Sequence, residues 1–424
     1  MKNVYKIRFV IAILGLVFAI SQVLRMLLPV NIFSLQLIPL IQKMLFDYSW
    51  ISLLLLSGIL LLTFLFGRFY CSTICPLGIL QEIVSSLKIK KNNRYIPGYP
   101  FKYFICAISF GLLFTGSSYI IKHLDPYTYF SSALTLSAFG ILAVVSVLTI
   151  VFFKDRFFCT NICPVGTFLG LISKLSLNKI YIDKEKCISC TMCEKQCPSA
   201  CINIKNKNVD NENCVKCFRC TVVCKNECIK FGQIKTDVSN FDPERRKFLL
   251  TASAFVIAYG IGRSVIPEIT KNIMHKFKAV ILPPGAGQAE EFVNKCLNCN
   301  LCVNNCPDKI IVKADNEFPA VHIDYSKGYC DKNCNKCSQV CPTGAIKHLT
   351  LAEKQKTKIA SAVIDYEKCT RCGHCIGSCP YGAISKSNDR VIINSSKCVG
   401  CGACKRSCFF GAMNTVSVLS FFYD

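Results

Sequence analysis

The sequence is short of the groups on which most catalysis rests. Its five histidines, at positions 123, 275, 322, 348 and 374, stand singly along the chain and leave no multi-histidine metal site. There is no glycine-rich dinucleotide fingerprint and no phosphate-cradling G-x-x-x-x-G-K-[ST] loop, which removes chemistry built on those motifs. No Ser/His/Asp constellation and no C-x-x-C-H occur, so serine acyl transfer and c-type haem attachment fall away too. Charge is scarce as well. Asp, Glu, Lys and Arg make up 18% of the 424 residues, and a mean hydropathy of +0.38 is high for a chain folded in water.

Apolar runs fill much of the first half. Phe9–Leu28, Ile51–Phe66, Tyr103–Ile121 and Ser132–Phe153 are each about long enough to cross, or nearly cross, a ~30 Å hydrocarbon core. The first lacks a small-residue cleavage pattern after Leu27-Leu28-Pro29 and reads as a span, not a cleaved signal. Basic residues gather on alternate sides of these runs. Lys2, Lys6 and Arg8 precede the first; Arg68, Lys88, Lys90, Lys91, Arg94 and Lys102 lie between the second and third, against Glu82 alone; Lys154, Arg156, Lys174 and Lys179 follow the fourth. The other two loops hold only Lys43 with Asp47, and Lys122 with Asp125. The positive-inside rule then places the N-terminus and the segments after the second and fourth runs in the cytoplasm.

This region is duplicated. Arg68-Phe69-Tyr70-Cys71-Ser72-Thr73-Ile74-Cys75-Pro76-Leu77-Gly78 parallels Arg156-Phe157-Phe158-Cys159-Thr160-Asn161-Ile162-Cys163-Pro164-Val165-Gly166. Each copy ends a helical hairpin, so Cys71, Cys75, Cys159 and Cys163 arrive at one membrane edge. They are either inert thiols in helix-terminating turns or a redox or metal-binding group, as one centre or as two reversible dithiols. Cys106, alone in the third run, reads as a small buried apolar residue.

The remaining cysteines are the richest signal. Cys187, Cys190, Cys193 and Cys197 form C-x2-C-x2-C-x3-C, followed by Pro198, and Cys214, Cys217, Cys220 and Cys224 repeat the spacing. Four more runs follow: Cys296/Cys299/Cys302/Cys306, Cys330/Cys334/Cys337/Cys341, Cys369/Cys372/Cys375/Cys379 and Cys398/Cys401/Cys404/Cys408. The second of these is one residue longer in its first step. Three thiolates at this spacing wrap one face of a cubane, and the fourth reaches the other cluster of a pair. Structural zinc uses two pairs of ligands instead of a triplet and a distant Cys-Pro. The 24 cysteines therefore predict six [4Fe–4S] clusters. At about −2 each, the clusters bring the formal charge of +24 to about +12; no nucleic-acid motif accompanies that charge, and no nucleic-acid partner is expected.

These segments resemble bacterial two-cluster ferredoxins, whose turn after the fourth cysteine matches Cys341-Pro-Thr-Gly-Ala-Ile346 and Cys379-Pro-Tyr-Gly-Ala-Ile384. The resemblance implies α+β modules with cross-ligation: Cys187, Cys190, Cys193 with Cys224; Cys214, Cys217, Cys220 with Cys197; Cys369, Cys372, Cys375 with Cys408; and Cys398, Cys401, Cys404 with Cys379. For the middle runs it suggests Cys296, Cys299, Cys302 with Cys341, and Cys330, Cys334, Cys337 with Cys306, although outer runs can also pair with outer. Cys201 and Cys228 occupy equivalent places in two halves, as small buried side chains beside a cluster or as alternative ligands.

Glu244-Arg245-Arg246-Lys247-Phe248-Leu249-Leu250 resembles a twin-arginine export pattern at an internal position. Clusters are assembled on reduced thiols in the cytoplasm, so a domain bearing them must cross already folded. No small-residue cleavage site follows, and Phe248–Ile266 reads as an uncleaved fifth span. Asp242-Pro243 marks a plausible boundary before it. The expected organisation is a four-span helical membrane domain over 1–175 and a cytoplasmic two-cluster module over 176–235. The signal and fifth span then occupy 240–270, and an extracytoplasmic four-cluster domain of two modules occupies 280–424.

That order of parts resembles a fusion of the NapH and NapG families, electron-transfer subunits associated with periplasmic nitrate reductase. Residues 1–235 carry the two C-x3-C-Pro motifs and two-cluster module of the first; residues 240–424 carry the signal and four quartets of the second. The resemblance implies a lipid-embedded quinol dehydrogenase component, passing electrons from the quinol pool to an extracytoplasmic reductase or multihaem cytochrome. His123 and Asp125 could handle quinol protons, although a solvated loop is the plainer reading of both. A membrane polyferredoxin that senses redox state or matures a partner's metal centre is the competing class; six clusters in series favour conduction.

Overall fold

The computed structural model describes residues 2–23, 36–47, 50–87, 93–96, 98–115, 117–118, 120–233, 252–264, 280–313 and 321–418. The chain divides into two compact units, Met1–Arg263 and Ser264–Asp424.

The first unit begins with four apolar helices, α1 (Lys2–Val23), α3 (Trp50–Phe66), α6 (Phe101–Phe114) and α8 (Ala138–Phe153), with α2 (Leu37–Asp47) and α7 (Pro126–Leu134) between them. Among the described residues, only the Val4–Ser21 stretch of α1 is by itself long and apolar enough to cross a membrane. At 1.5 Å per residue, α3, α6 and α8 rise about 26, 21 and 24 Å, short of a ~30 Å core. The third run ends at Phe114, not Ile121, and the fourth helix starts at Ala138, not Ser132. The cause is local. The Asp125 carboxylate accepts the Thr128 N–H at 3.0 Å and Pro126 takes the first position, so a separate helix starts at Pro126. The left-handed Leu136, at φ 56°, follows its end. Asp125 is therefore 2% exposed and lies in no solvated loop; His123 is exposed.

The polarity of this part is inverted. Ile7, Val10, Ile11, Leu14 and Val17 of α1, Ile51 and Leu54 of α3, and Leu142 and Phe153 of α8 are exposed, whereas Arg8, Gln81, Glu82, Ser85 and Arg156 are buried. Apolar surface on this scale is unfavourable in water and costs nothing in hydrocarbon.

Between these helices lie two matching helix–turn–helix pieces: α4 (Tyr70–Thr73) with α5 (Pro76–Ser86), and α9 (Phe157–Asn161) with α10 (Pro164–Lys174). A small α+β module follows. β1 (Lys179–Ile182) pairs antiparallel with β4 (Ile229–Gly232), and β2 (Ile202–Asn203) with β3 (Asn208–Val209). The short helices α11 (Met192–Gln196) and α12 (Arg219–Val223) pack on each other in between. Residues 252–264 form helix α13, which packs on α6 through small residues: a Cβ at Gly111 would lie 2.8 Å from that of Ala258. The twin-arginine segment, 244–250, lies outside the described residues.

The second unit repeats the module. Its last part pairs β7 (Ala360–Ile364) with β10 (Met413–Ser417), and β8 (Ile384–Ser387) with β9 (Arg390–Ile393), around α18 (His374–Gly377) and α19 (Ala403–Ser407). The part before it holds the hairpin β5 (Ile311–Lys313)–β6 (Val321–Ile323), with α15 (Leu301–Asn305) packed on α16 (Lys336–Val340). The two are joined by hydrogen bonds: the Cys330 N–H donates to the Cys401 carbonyl at 2.8 Å, and the Tyr325 hydroxyl donates to the Gly400 carbonyl at 2.6 Å.

Candidate redox site

The C-x3-C-Pro-x-Gly sequence builds the same turn twice. Cys75 caps α5 and Pro76 takes the first helical position, where no N–H is needed; Cys163 and Pro164 do the same for α10. A Cβ at Gly78 would lie 2.3 Å from the Cys71 carbonyl oxygen, and one at Gly166 the same distance from that of Cys159. Glycine is thus what lets each helix fold back onto its first cysteine. The arginine heading each copy serves the other: Arg68 donates to the Cys159 carbonyl at 2.9 Å and Arg156 to the Cys71 carbonyl at 3.3 Å.

All four thiols are buried. The groups whose charge acts on Cys163 include Cys159, Cys75 and Cys71, and those acting on Cys75 include Cys159, Cys71 and Asp125. The duplicated cysteines therefore lie within electrostatic reach of one another. Two N–H donors reach their sulfurs: Gly166 N to Cys163 Sγ at 3.3 Å, and Gln81 Nε2 to Cys159 Sγ at 3.3 Å. Cys106 is buried, and its Sγ donates to the Pro164 carbonyl at 3.6 Å, the small-residue role expected of it.

Among the differences between the two halves, that at Glu82 and Gly170 marks where the module docks. Glu82 of α5 receives Arg8 at 2.5 Å and Arg156 at 2.7 Å, all three buried. Its counterpart in α10 is Gly170, where a Cβ would lie 2.9 Å from the Glu212 carbonyl oxygen. Glu212 sits two residues before Cys214. Its carbonyl accepts from Arg68 at 3.1 Å, and its carboxylate pairs with Lys102 at 2.5 Å. Asn93 donates to the Cys197 carbonyl at 3.0 Å, and Arg219 to Ser85 Oγ at 3.4 Å. Arg156 feels Glu82, Cys159, Cys217 and Cys71, and Cys217 feels Glu82, Arg8 and Arg156. The charges of this buried ion triad thus reach both the C-x3-C group and a cysteine of the module's second run.

The six longer runs also have a shared backbone. In five of them the residues flanking the second cysteine are left-handed: Ser189 and Thr191, Lys216 and Phe218, Asn298 and Asn300, Arg371 and Gly373, Gly400 and Gly402. Most are not glycine, and each such residue costs about 1 kcal/mol. Successive residues in this geometry turn N–H groups toward one point, a nest for an anion. The run from Cys330, with its longer first step, lacks the pattern.

The cysteines surround gaps. One small cavity of about 10 Å³ is lined by Cys197, Cys201, Cys214, Cys217 and Cys220. Another of about 20 Å³ is lined by Cys369, Cys372, Cys375 and Cys408, and a third of about 20 Å³ by Cys379, Cys398, Cys401 and Cys404. Elsewhere electrostatics show the same gathering. Burial and then Cys190, Cys224 and Cys187 act on Cys193. Cys302 feels Cys296, Cys299, Cys341 and Cys337, and Cys337 feels Cys330, Cys334 and Cys306. Among the described residues no three His, Cys, Asp or Glu side chains crowd onto a point, as a single ion requires. Thiols standing around a gap, under converging N–H groups, fit an anionic iron–sulfur cube.

Comparison with known proteins agrees. A 4Fe-4S binding domain family matches residues 47–94 and 136–182, and two families of 4Fe-4S dicluster domains match 295–345 with 329–383, and 361–409. Ferredoxin-type protein NapF of Haemophilus influenzae is 30% identical over 143 residues, covering 26% of this chain and 79% of NapF. The chain belongs to the ferredoxin-type iron–sulfur family. This ferredoxin-type protein is also 32% identical over 144 residues to an uncharacterized protein of Methanocaldococcus jannaschii, 33% of this chain and 54% of that one. Methylamine utilization ferredoxin-type protein MauM of Methylobacillus flagellatus is 33% identical over 149 residues, 32% of this chain and 63% of MauM. The ferredoxin-type chain spans about half the length of the Methanocaldococcus jannaschii relative. Its matched segments are [4Fe–4S] domains.

Sequence reasoning used Arg68, Arg156 and Glu82 only as loop charges that set topology, and it did not single out Gln81. Their signal was their place: two arginines at identical offsets, and a lone acid in a strongly basic loop. Cys201 and Cys228 prove buried, each with Sγ near the fourth cysteine of its own run, at 3.5 Å from Cys197 and 3.2 Å from Cys224.

Proposed function

We propose that this chain is a membrane-embedded conductor that takes electrons from quinol and delivers them through six [4Fe–4S] clusters to an extracytoplasmic reductase or cytochrome. The observation that carries the reading is the docking of the first module against the duplicated halves through the Arg68–Glu212, Asn93–Cys197 and Arg219–Ser85 hydrogen bonds. In this reading Cys187, Cys190, Cys193 and Cys224 hold the first cluster, and Cys214, Cys217, Cys220 and Cys197 the second. Cys296, Cys299, Cys302 and Cys341 hold the third; Cys330, Cys334, Cys337 and Cys306 the fourth; Cys369, Cys372, Cys375 and Cys408 the fifth; Cys398, Cys401, Cys404 and Cys379 the sixth. The cavities and neighbours described above support these sets.

The Cys330–Cys401 backbone hydrogen bond favours the order third, fourth, sixth, fifth within the second unit. The fifth site, with exposed Cys372, then faces the acceptor. Asp125, buried beside Cys75 and Tyr70, is the proton acceptor for quinol. The exposed apolar faces of α1, α3 and α8 support several membrane crossings, with the shorter helices completed by flanking segments. The basic loops put the N-terminus and first module inside and the second unit outside. Export through Arg245 and Arg246 would deliver that unit folded.

Right-side-out and inverted membrane vesicles test this together. Quinol should drive reduction of impermeant ferricyanide at the outer face only, and vesicles from cells lacking the protein should not show it. Equal reduction at the inner face, or none at the outer, would remove the vectorial reading.

A further inference from the structure

Each half of the duplicated region matches a 4Fe-4S binding domain, yet each contains only two cysteines, Cys71 with Cys75 and Cys159 with Cys163. Neither half can supply the four thiolates that an iron–sulfur cluster takes. The fold brings the pairs into one neighbourhood: each half's arginine holds the other's first cysteine by its carbonyl, and the thiols lie within electrostatic reach, spread more widely than a single ion would take.

A second observation points to a negative occupant. Arg68 is 1% exposed and, among the described residues, forms no ion pair. Both its Nη atoms donate to carbonyl oxygens, and its Nε is buried without a partner, as are the Nε atoms of Arg8 and Arg156. Glu82 already serves Arg8 and Arg156 together. A buried guanidinium left without a counter-charge is strongly unfavourable. Four neutral thiols would not relieve it. Four thiolates around an iron–sulfur core would, since such a centre carries about −2 whether it holds two irons or four. The N–H groups of Gly166 and Gln81 are already aimed at the sulfurs.

We propose that Cys71, Cys75, Cys159 and Cys163 together hold one further iron–sulfur centre, shared between the two halves, with Arg68 and Arg156 as its positive neighbours. It deepens the electron-transfer reading above by placing a seventh redox centre against the module's second cluster.

Iron and acid-labile sulfide in the anaerobically purified full-length protein provide the test. Six ferredoxin clusters alone give about 24 iron per chain; a shared [2Fe–2S] centre raises this to about 26, a shared [4Fe–4S] centre to about 28. Mössbauer spectra separate the two forms. Cys71→Ser with Cys159→Ser should remove only that extra increment, and Cys106→Ser none. Because the unmodified protein is counted first, a variant that fails to fold leaves the test intact. About 24 iron in the unmodified protein, with the quartet released as four alkylatable thiols, would overturn the shared centre and leave the six-cluster reading standing. Iron well below 24 would instead strike the six-cluster reading, and the shared centre would then stand only if the double variant still lost two or four irons.

Discussion

Replacing Glu82 by Gln removes one negative charge and leaves two buried cations facing each other. Glu82 is 1% exposed and its carboxylate oxygens receive Arg8 at 2.5 and 3.0 Å and Arg156 at 2.7 Å. Breaking a buried pair by deleting one partner costs about 3–5 kcal/mol, because the surviving charge loses its compensation without regaining water. Here two guanidiniums survive, so the upper part of that range applies, a large share of the ~5–15 kcal/mol that holds a domain folded. The loss should be partly restored by adding Arg156→Met, which removes one stranded charge; Arg156→Met alone should also destabilise. Thermal unfolding of all four proteins in detergent closes this double-mutant cycle. The triad's charges also act on both the C-x3-C thiols and Cys217. Its loss should therefore slow reduction of the module's clusters even in protein that remains folded. Wild-type melting and wild-type reduction in Glu82→Gln would refute the reasoning.

Gly166→Ala puts a Cβ 2.3 Å from the Cys159 carbonyl oxygen and should cost about 1–3 kcal/mol by overpacking, read as a lowered melting temperature; Gly232→Ala, where nothing lies within 4 Å, should not match it. Burial pushes the Glu212 carboxyl up, but the Lys102 ammonium holds it below the usual carboxylate range. A depressed carboxylate contributes stability above its unfolded pKa of about 4.3 and loses it as pH falls through the folded value. Protease sensitivity of the first module should therefore stay flat from about pH 8 to about pH 5 and rise only below about pH 4. Stripping iron by chelator and oxidant should unfold that module, since its core is built around cysteines and a few apolar residues such as Ile180, Ile202, Phe218 and Ile229; fast hydrogen exchange throughout residues 179–232 is the expected result. Arg245→Lys with Arg246→Lys should trap a reporter fused after Asp424 inside the cell while one after Lys235 stays silent in both proteins.

The cysteine runs were legible because ligand spacing is a local property: three thiols two residues apart are placed by a few dihedral angles, wherever the chain goes next. The C-x3-C-Pro-x-Gly turns were legible for the same reason, and their duplication announced that the pairs meet. The helices flanking them were less so. A window of apolar residues cannot show that Asp125 and Pro126 start a new helix inside what hydropathy reads as a long crossing. The same carboxylate that suggested a solvated loop is buried because it caps that helix. Arg68, Arg156 and Glu82 were out of reach for another reason: their partners are distant carbonyls and carboxylates, set by how the halves and the module pack.

The central claim is that electrons enter the ferredoxin clusters through the duplicated cysteines. It is tested by following cluster absorbance in liposomes after adding a quinol analogue, for the unmodified protein and for Cys71→Ser with Cys159→Ser. Quinol should reduce the clusters of the unmodified protein and leave those of the variant oxidised, while dithionite reduces both. Quinol reduction of the variant's clusters at the unmodified rate would contradict the account.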